Sequence, residues 1–413
     1  MRPTGRLHLG HYFGALQNWV KLQDEYDCLF CVVDWHALTT HYEDTSSIAE
    51  NTLEVATDWL SVGLDPAKST LFVQSSVLEH AELHLLLSMI TPLGWLERVP
   101  TYKEQIENLK DRDLGTYGFL GYPLLQTADI VLYDGELVPV GEDQVPHIEL
   151  AREIARRFNH FTGVCLRETN VRAPENFSLV CALMGYVSNY YRQPMPERLG
   201  KQVSDDDIAW LGRAVRRAVQ EVGLDNVLQA NRGFKNLLRF KPVLREPGAM
   251  LTETPRLPGT DGRRMAKSYG NAIWLSDPPE QIRDKVGNMM TDPQRVRRTD
   301  PGRPEVCPVF AYHKLFSTAE TQGKVDRDCR SAAIGCVDCK KLAAENLVSW
   351  IEPIQAQRKK YEANPQEVWD ILDAGSKKAH REARKTMRRV RDAIFEWNEA
   401  RKPAASVKTT ARA

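Results

Sequence analysis

Two histidines three residues apart are the first side chains that could do chemistry. In Pro3-Thr4-Gly5-Arg6-Leu7-His8-Leu9-Gly10-His11-Tyr12-Phe13-Gly14, the spacing of His8 and His11 puts both imidazoles on one helix face. The glycines let a ligand reach the backbone, and a helix N-terminus there offers N–H donors and a positive dipole end to phosphate. Imidazoles at that point can donate hydrogen bonds to oxygens that gain charge as a phosphoanhydride is attacked. Taken alone, the pair fits a helix cap with two surface histidines equally well. Well downstream lies Gly262-Arg263-Arg264-Met265-Ala266-Lys267-Ser268-Tyr269-Gly270-Asn271, a basic loop bounded by glycines. Cations on such a loop can close over a polyphosphate and neutralise departing pyrophosphate. Each motif has a bland reading as surface structure; the two together point to ATP chemistry.

The eight cysteines form a second group of candidates. Cys28 and Cys31 fall in one apolar run and read as core fillers, while Cys165 and Cys181 have no partner spacing. Cys307, Cys329, Cys336 and Cys339 lie in one polar, helical stretch, with the last two as C-x-x-C. Four thiolates suit either tetrahedral zinc or an iron–sulfur cluster. The knuckle-like Ile334-Gly335-Cys336-Val337-Asp338-Cys339 favours zinc when the residues are read by themselves.

The elements that must hold these groups form an α/β pattern. Cys28–Asp34 and Thr70–Gln74 are short apolar runs, and a helical pattern over Thr45–Val62 separates them, with Asp44-Thr45-Ser46-Ser47 as N-cap chemistry and Gly63 as C-cap. That order predicts parallel strands. Ile130–Tyr133 reads as a third strand-like run, followed by Leu137–Gly141 and a helix over Val145–Phe158. Residues 167–241 change texture and predict a helical insertion, with helices over Ile208–Val222 and Asn226–Leu238. From about Ile282 onward the pattern is almost wholly helical, and the tail 402–413 is small, polar and basic, the composition of a disordered segment. Almost nothing precedes the first Gly-rich loop, so a further strand is expected upstream of it.

Composition narrows the function classes. The chain has 413 residues, enough for two or three domains, and balances 55 Lys+Arg against 55 Asp+Glu. Any nucleic-acid surface must therefore be local. No window reaches the roughly 18 apolar residues of a membrane span. The start lacks a signal-peptide core, so the expected compartment is the cytoplasm, where cysteines stay thiols.

The motif Pro-Thr-Gly-x-Leu-His-Leu-Gly-His together with Arg264-Met265-Ala266-Lys267-Ser268 resembles the two signatures of class I aminoacyl-tRNA synthetases. Val138-Pro139-Val140-Gly141-Glu142-Asp143-Gln144-Val145-Pro146-His147, Leu96–Lys103 and Thr291–Arg298 resemble the tryptophanyl-tRNA synthetases in particular. The resemblance implies a Rossmann-type parallel-sheet catalytic domain followed by an all-helical anticodon-binding domain, acting as a homodimer on L-tryptophan, ATP with Mg²⁺, and tRNA(Trp). It implies a catalytic domain over 1–166 and 242–284, split by the insertion 167–241, and a helical domain over 285–401.

Residue by residue, the resemblance implies catalytic roles for His8, His11, Lys103 and Lys267. It implies ATP contacts from Thr4, Gly5, Gly10, Gly141, Asp143, Arg264, Met265 and Ser268. Asp129 matches the carboxylate that accepts the indole N–H, Tyr122 and Gln144 the groups that hold the amino group, and His36 and Gln126 the indole pocket. A branch of the family carries a four-cysteine [4Fe-4S] site, which turns the reading of Cys307, Cys329, Cys336 and Cys339 from zinc to the cluster. Arg264 and Ala266 depart from the usual Lys and Ser of the second signature; Arg is a rigid fork where Lys is a flexible point charge. The sister tyrosine ligases and a non-catalytic tRNA-binding or tryptophan-sensing paralogue are the rival readings.

Overall fold

The computed structural model describes residues 1–100, 102, 115–196, 202–251 and 257–395. Lys103 and the tail 402–413 lie outside the described residues. The chain divides into two compact units, one of Met1–Leu78, Pro139–Asp143 and Leu251–His380, the other of Glu79–Val138, Gln144–Met250 and Arg381–Ala413.

In the first unit, strand β1 (Leu29–Val32) pairs in parallel with β2 (Thr70–Val73), register Leu29 with Thr70. All four residues of β2 are buried, as expected of a parallel strand covered on both faces. Helix α1 (Ile48–Ser61) connects them and buries Val55, Ala56, Trp59 and Leu60 at helical spacing. Asp44 accepts from the Ser46 N–H at 3.0 Å just ahead of it, and Gly63 ends it with φ +106°. The backbone turns there through a conformation that side chains with a Cβ rarely adopt. The later part of this unit is helical: α2 (Pro279–Gly287), α3 (Pro308–Phe316), α4 (Ala319–Arg330) and α5 (Cys336–Ala363). Gly375 lies directly on β2, where a Cβ would stand 1.8 Å from the Leu71 carbonyl oxygen. Only a glycine permits that approach.

The second unit corrects two local readings. Ile130 and Val131 end the helix Tyr122–Val131, and the strand follows only at Leu137–Val140. A four-residue apolar run carries no periodicity that separates a buried helix end from a strand. The pattern read as one helix over Asn226–Leu238 is a short helix Leu224–Ala230, a 3₁₀ turn Arg232–Asn236 and a strand Leu238–Phe240. Asn231 causes the break: its side chain accepts from the Gly233 N–H at 2.9 Å, in place of helix continuation. That strand runs antiparallel to Val164–Leu166. Between them, Asp205–Val222 begins with a capping box, in which Ser204 Oγ accepts from the Asp207 N–H and Asp207 Oδ2 accepts from the Ser204 N–H at 2.9 Å. Its inner face, Trp210, Leu211, Ala214, Val215 and Ala218, packs with Val180, Leu183 and Met184 into a core of its own.

Candidate active site

The two signature motifs meet in the first unit. Leu7–Leu9 form a short antiparallel ladder with Ile273–Leu275, in which the Leu9 N–H donates to the Ile273 carbonyl at 2.9 Å and the Leu275 N–H to the Leu7 carbonyl at 3.0 Å. The segment just after the second motif is thereby stitched to the first. Buried Asn271 shapes the loop itself: its Oδ1 accepts from the Ala266 N–H at 2.9 Å, and its Nδ2 donates to Asp261 Oδ1 at 2.7 Å. Met265 is buried while Arg264 and Ser268 are exposed, so the loop is anchored by one apolar side chain and presents its polar ones. Lys267 then reaches the first motif, where Nζ donates to the carbonyl oxygens of Thr4 at 2.9 Å and Gly5 at 3.0 Å.

Electrostatics around the loops decides the protonation states. His8 is lowered to about 4, by burial first and then by the Lys267 and Arg264 charges. His11 is lowered to about 3, again by burial first, then by His8 and Lys267. Both imidazoles are neutral at pH 7. The His8 backbone N–H donates to His11 Nδ1 at 3.2 Å, which puts the neutral His11 ring's proton on Nε2 and makes that atom a donor. The rings lie 3.7 Å apart between centroids, and a methyl on Gly10 would come within 2.9 Å of the His8 ring. Glycine is required at residue 10 because any side chain would displace His8. Burial also lowers the Lys267 ammonium to about 8.

Behind the first motif stands a buried ion cluster that the motifs did not announce. Asp58 Oδ2 accepts from the Leu7 N–H at 2.9 Å, and Arg358 pairs with Asp58 and, at 2.6 Å, with Glu54. Burial pushes the Asp58 carboxyl up, and Arg358 pulls against it. A sequence signal existed: Glu54 and Asp58 are like charges one turn apart on a helix whose same stretch buries Trp59, and such a pair calls for a cation. Nothing in the spacing says that the cation is Arg358.

In the second unit, Tyr122, Gln126 and Asp129 follow i, i+4, i+7 spacing on the helix Tyr122–Val131 and share one face. Tyr122 is buried, with its hydroxyl 3.1 Å from His147 Nε2. The Asp129 side chain is 13% exposed, with Oδ1 2.7 Å from Nδ1 of fully buried His80, so it is no surface carboxylate. Gln144 is half-buried just before the helix Val145–Thr162. His36, in the first unit, is buried in the helix Asp34–His41. Gly141 packs closely on Asp143, with Oδ1 2.9 Å from where a Cβ would stand, and Asp143 is exposed.

The four downstream cysteines are electrostatic neighbours. Burial first, and then the charges of Cys307, Cys329 and Cys336, push the Cys339 thiol up to about 12. Arg295 Nη1 approaches Cys329 Sγ at 3.5 Å and His313 Nε2 approaches Cys339 Sγ at 3.4 Å. Among the described residues no three His, Cys, Asp or Glu side chains are grouped closely enough to hold a metal ion. Burial first, and then the charges of Cys307 and Cys336, also raise the Cys329 thiol while Arg295 pulls against them, a cost that a cation bound at these two sulfurs would relieve.

Known proteins place the chain. A family model described as tRNA synthetases class I (W and Y) matches residues 1–184 and 207–352, so much of the stretch read as an insertion falls inside the match. A tryptophan–tRNA ligase of Ralstonia nicotianae is 48% identical over 396 residues, covering 95% of this chain and 96% of that protein. One from Thermotoga maritima is 44% identical, with 95% and 97% covered. The crystal structure of tryptophanyl-tRNA synthetase from Campylobacter jejuni, complexed with ADP and tryptophan, matches with a TM-score of 0.70 at 26% identity, covering 95% of this chain and 98% of that one. No helix among the described residues is long and apolar enough to cross a membrane. With both signature loops assembled and the match running through most of the sequence, the chain belongs to the class I aminoacyl-tRNA synthetases of the tryptophan and tyrosine branch.

Proposed function

We propose that this chain is a tryptophan–tRNA ligase. The observation that carries the reading is Lys267 reaching across to the carbonyls of Thr4 and Gly5 beside the His8–His11 pair, a juxtaposition that supports one phosphate site drawn from both signatures. The tryptophan carboxylate oxygen bonds to the α-phosphorus of ATP, the bond to the β-phosphate bridging oxygen breaks, and pyrophosphate leaves with that electron pair. The adenylate's acyl group then passes to the 3′ end of tRNA(Trp) and AMP departs. The protein contributes alignment and charge stabilisation in place of covalent chemistry. His11 Nε2–H and the His8 ring donate to phosphate oxygens, and Lys267 with Lys103 neutralises the leaving pyrophosphate, which enters with Mg²⁺. Thr4, Gly5, Gly10, Gly141, Asp143, Arg264, Met265 and Ser268 complete the ATP site. Asp129 takes the indole N–H, Tyr122 and Gln144 the amino group, and His36 and Gln126 line the indole. The enzyme acts in the cytoplasm as a homodimer, with residues 285–401 reading the anticodon and 167–241 forming a module inserted in the catalytic domain.

Tryptophan-dependent exchange of labelled pyrophosphate into ATP tests the reading. Exchange with tryptophan and none with tyrosine is the expected outcome, and exchange driven by tyrosine alone would assign the chain to the sister enzymes.

Cys307, Cys329, Cys336 and Cys339 hold a [4Fe-4S] cluster in this reading, which braces the helical region at the start of α5, where Cys336 and Cys339 occupy the first turn. Protein purified without oxygen is expected to be brown and to carry about four irons and four sulfides per chain. Cys336→Ser should weaken tRNA charging or destabilise the helical region while sparing tryptophan-dependent pyrophosphate exchange. Colourless anaerobic protein with one tight zinc would give the site to zinc.

A further inference from the structure

We infer that His80 and Tyr133 are positioning residues for tryptophan selection, forming a hydrogen-bonded relay that fixes the direction of the Asp129 carboxylate; the inference rests on the assignment of Asp129 to the indole N–H.

His80 sits at the start of the helix Glu79–Ser88 and is fully buried. Its Nδ1 lies 2.7 Å from Asp129 Oδ1, and its Nε2 lies 2.8 Å from the Tyr133 hydroxyl. An ionised carboxylate only accepts, so Nδ1 must carry the proton and donate it. The tautomer with its single proton on Nδ1 leaves Nε2 as an acceptor, to which the Tyr133 hydroxyl donates. Tyr133 lies just past the C-terminal end of the helix that carries Asp129, so the relay leaves that helix at Asp129, passes through an adjacent one at His80 and returns beside its own end. One end of the relay is tied to that helix and the other to the turn that follows it.

An unsupported aspartate on a helix can swing between rotamers, each of which aims its oxygens differently. Holding Oδ1 through a buried ring fixes where Oδ2 points, and a fixed acceptor rewards a ligand N–H only when it arrives along that line. The carboxylate retains 13% exposure, so a ligand can reach it while the histidine behind it stays dry. Discrimination of this polar kind exceeds what pocket shape supplies, because a ligand without the N–H leaves a buried acceptor unpaired.

The test compares tryptophan with its benzothiophene analogue, β-(3-benzothienyl)alanine, in which sulfur replaces the indole N–H at nearly the same shape. In pyrophosphate exchange, His80→Ala should lower kcat/KM for tryptophan by about 10–100-fold, the scale of leaving a mostly buried acceptor without its hydrogen-bond partner. Tyr133→Phe should cost about 3–10-fold, the net worth of one hydrogen bond. The analogue's kcat/KM and the KM for ATP should change little, so the preference for tryptophan collapses. His80→Asn, which places an amide N–H near the position of Nδ1, should recover most of it. Equal losses for both amino acids in His80→Ala and Tyr133→Phe would show a merely structural role and overturn the inference. If Asp129→Ala abolishes the preference while both relay variants keep it, the relay fails and the Asp129 assignment stands. If Asp129→Ala itself keeps the preference, the assignment fails and the relay with it.

Discussion

Asp129→Ala is expected to lower kcat/KM for tryptophan by about 10²–10⁴, the range for removing a buried group that recognises a polar atom of the substrate. The substitution deletes an acceptor that is mostly buried and held by His80 at 2.7 Å. Two losses combine: the indole N–H enters a site with nothing to receive it, and the His80 Nδ1–H loses its partner in a dry environment. The measurement is pyrophosphate exchange with tryptophan and with tyrosine in parallel. A fall in tryptophan use with the preference over tyrosine erased is the expected pattern, and a variant that still discriminates almost normally would remove Asp129 from substrate recognition.

Lys267→Ala is expected to slow adenylate formation by about 10²–10³ while tryptophan binding changes little, since in the proposed reaction the lysine meets charge that develops only as pyrophosphate departs. Its ammonium also predicts a pH profile. Burial places it at about 8, below the ordinary lysine value of 10.5, so kcat/KM for ATP should decline as pH rises through about 8 and the cation is lost. The effect on stability has the opposite sign. Between pH 8 and 10.5 the unfolded chain holds a proton at this position that the folded chain has released, so this group's unfavourable contribution, complete below pH 8, is relieved as pH rises. Activity that falls above pH 8 while the melting temperature does not fall in parallel would separate loss of charge from unfolding. Lys267→Arg, charged throughout, should move the alkaline limb upward at a lower plateau rate, because a rigid fork fits the Thr4 and Gly5 carbonyls less well than a point charge. An unchanged limb in that variant would assign the titration to another group.

Much of this was legible in one dimension, and the reasons are physical. The strands Leu29–Val32 and Thr70–Val73 and the helix between them follow from apolar period and cap residues, which act over a few neighbouring positions. The helical character beyond Ile282 is legible for the same reason. His8, His11 and Lys267 stood out because phosphate chemistry needs glycine, imidazole and ammonium at short spacing, and that spacing is local. Ile130–Tyr133 and Asn226–Leu238 misled because one is too short to show a period and the other hides an Asn-Arg-Gly break.

What tertiary structure alone decided is every pairing between distant segments. Arg358 beneath Asp58, His80 behind Asp129, and the Lys267 reach to Thr4 and Gly5 join residues whose separation in the chain carries no information about contact. Protonation belongs to the same class. A histidine is neutral or charged according to the burial and cations around it, so the neutral state of His8 and His11 at pH 7 followed only once folding had placed them in a dry site beside Lys267. The residue types in the sequence determined which chemistry was available; the fold determined which of those groups meet, in what charge state, and with which side chains behind them.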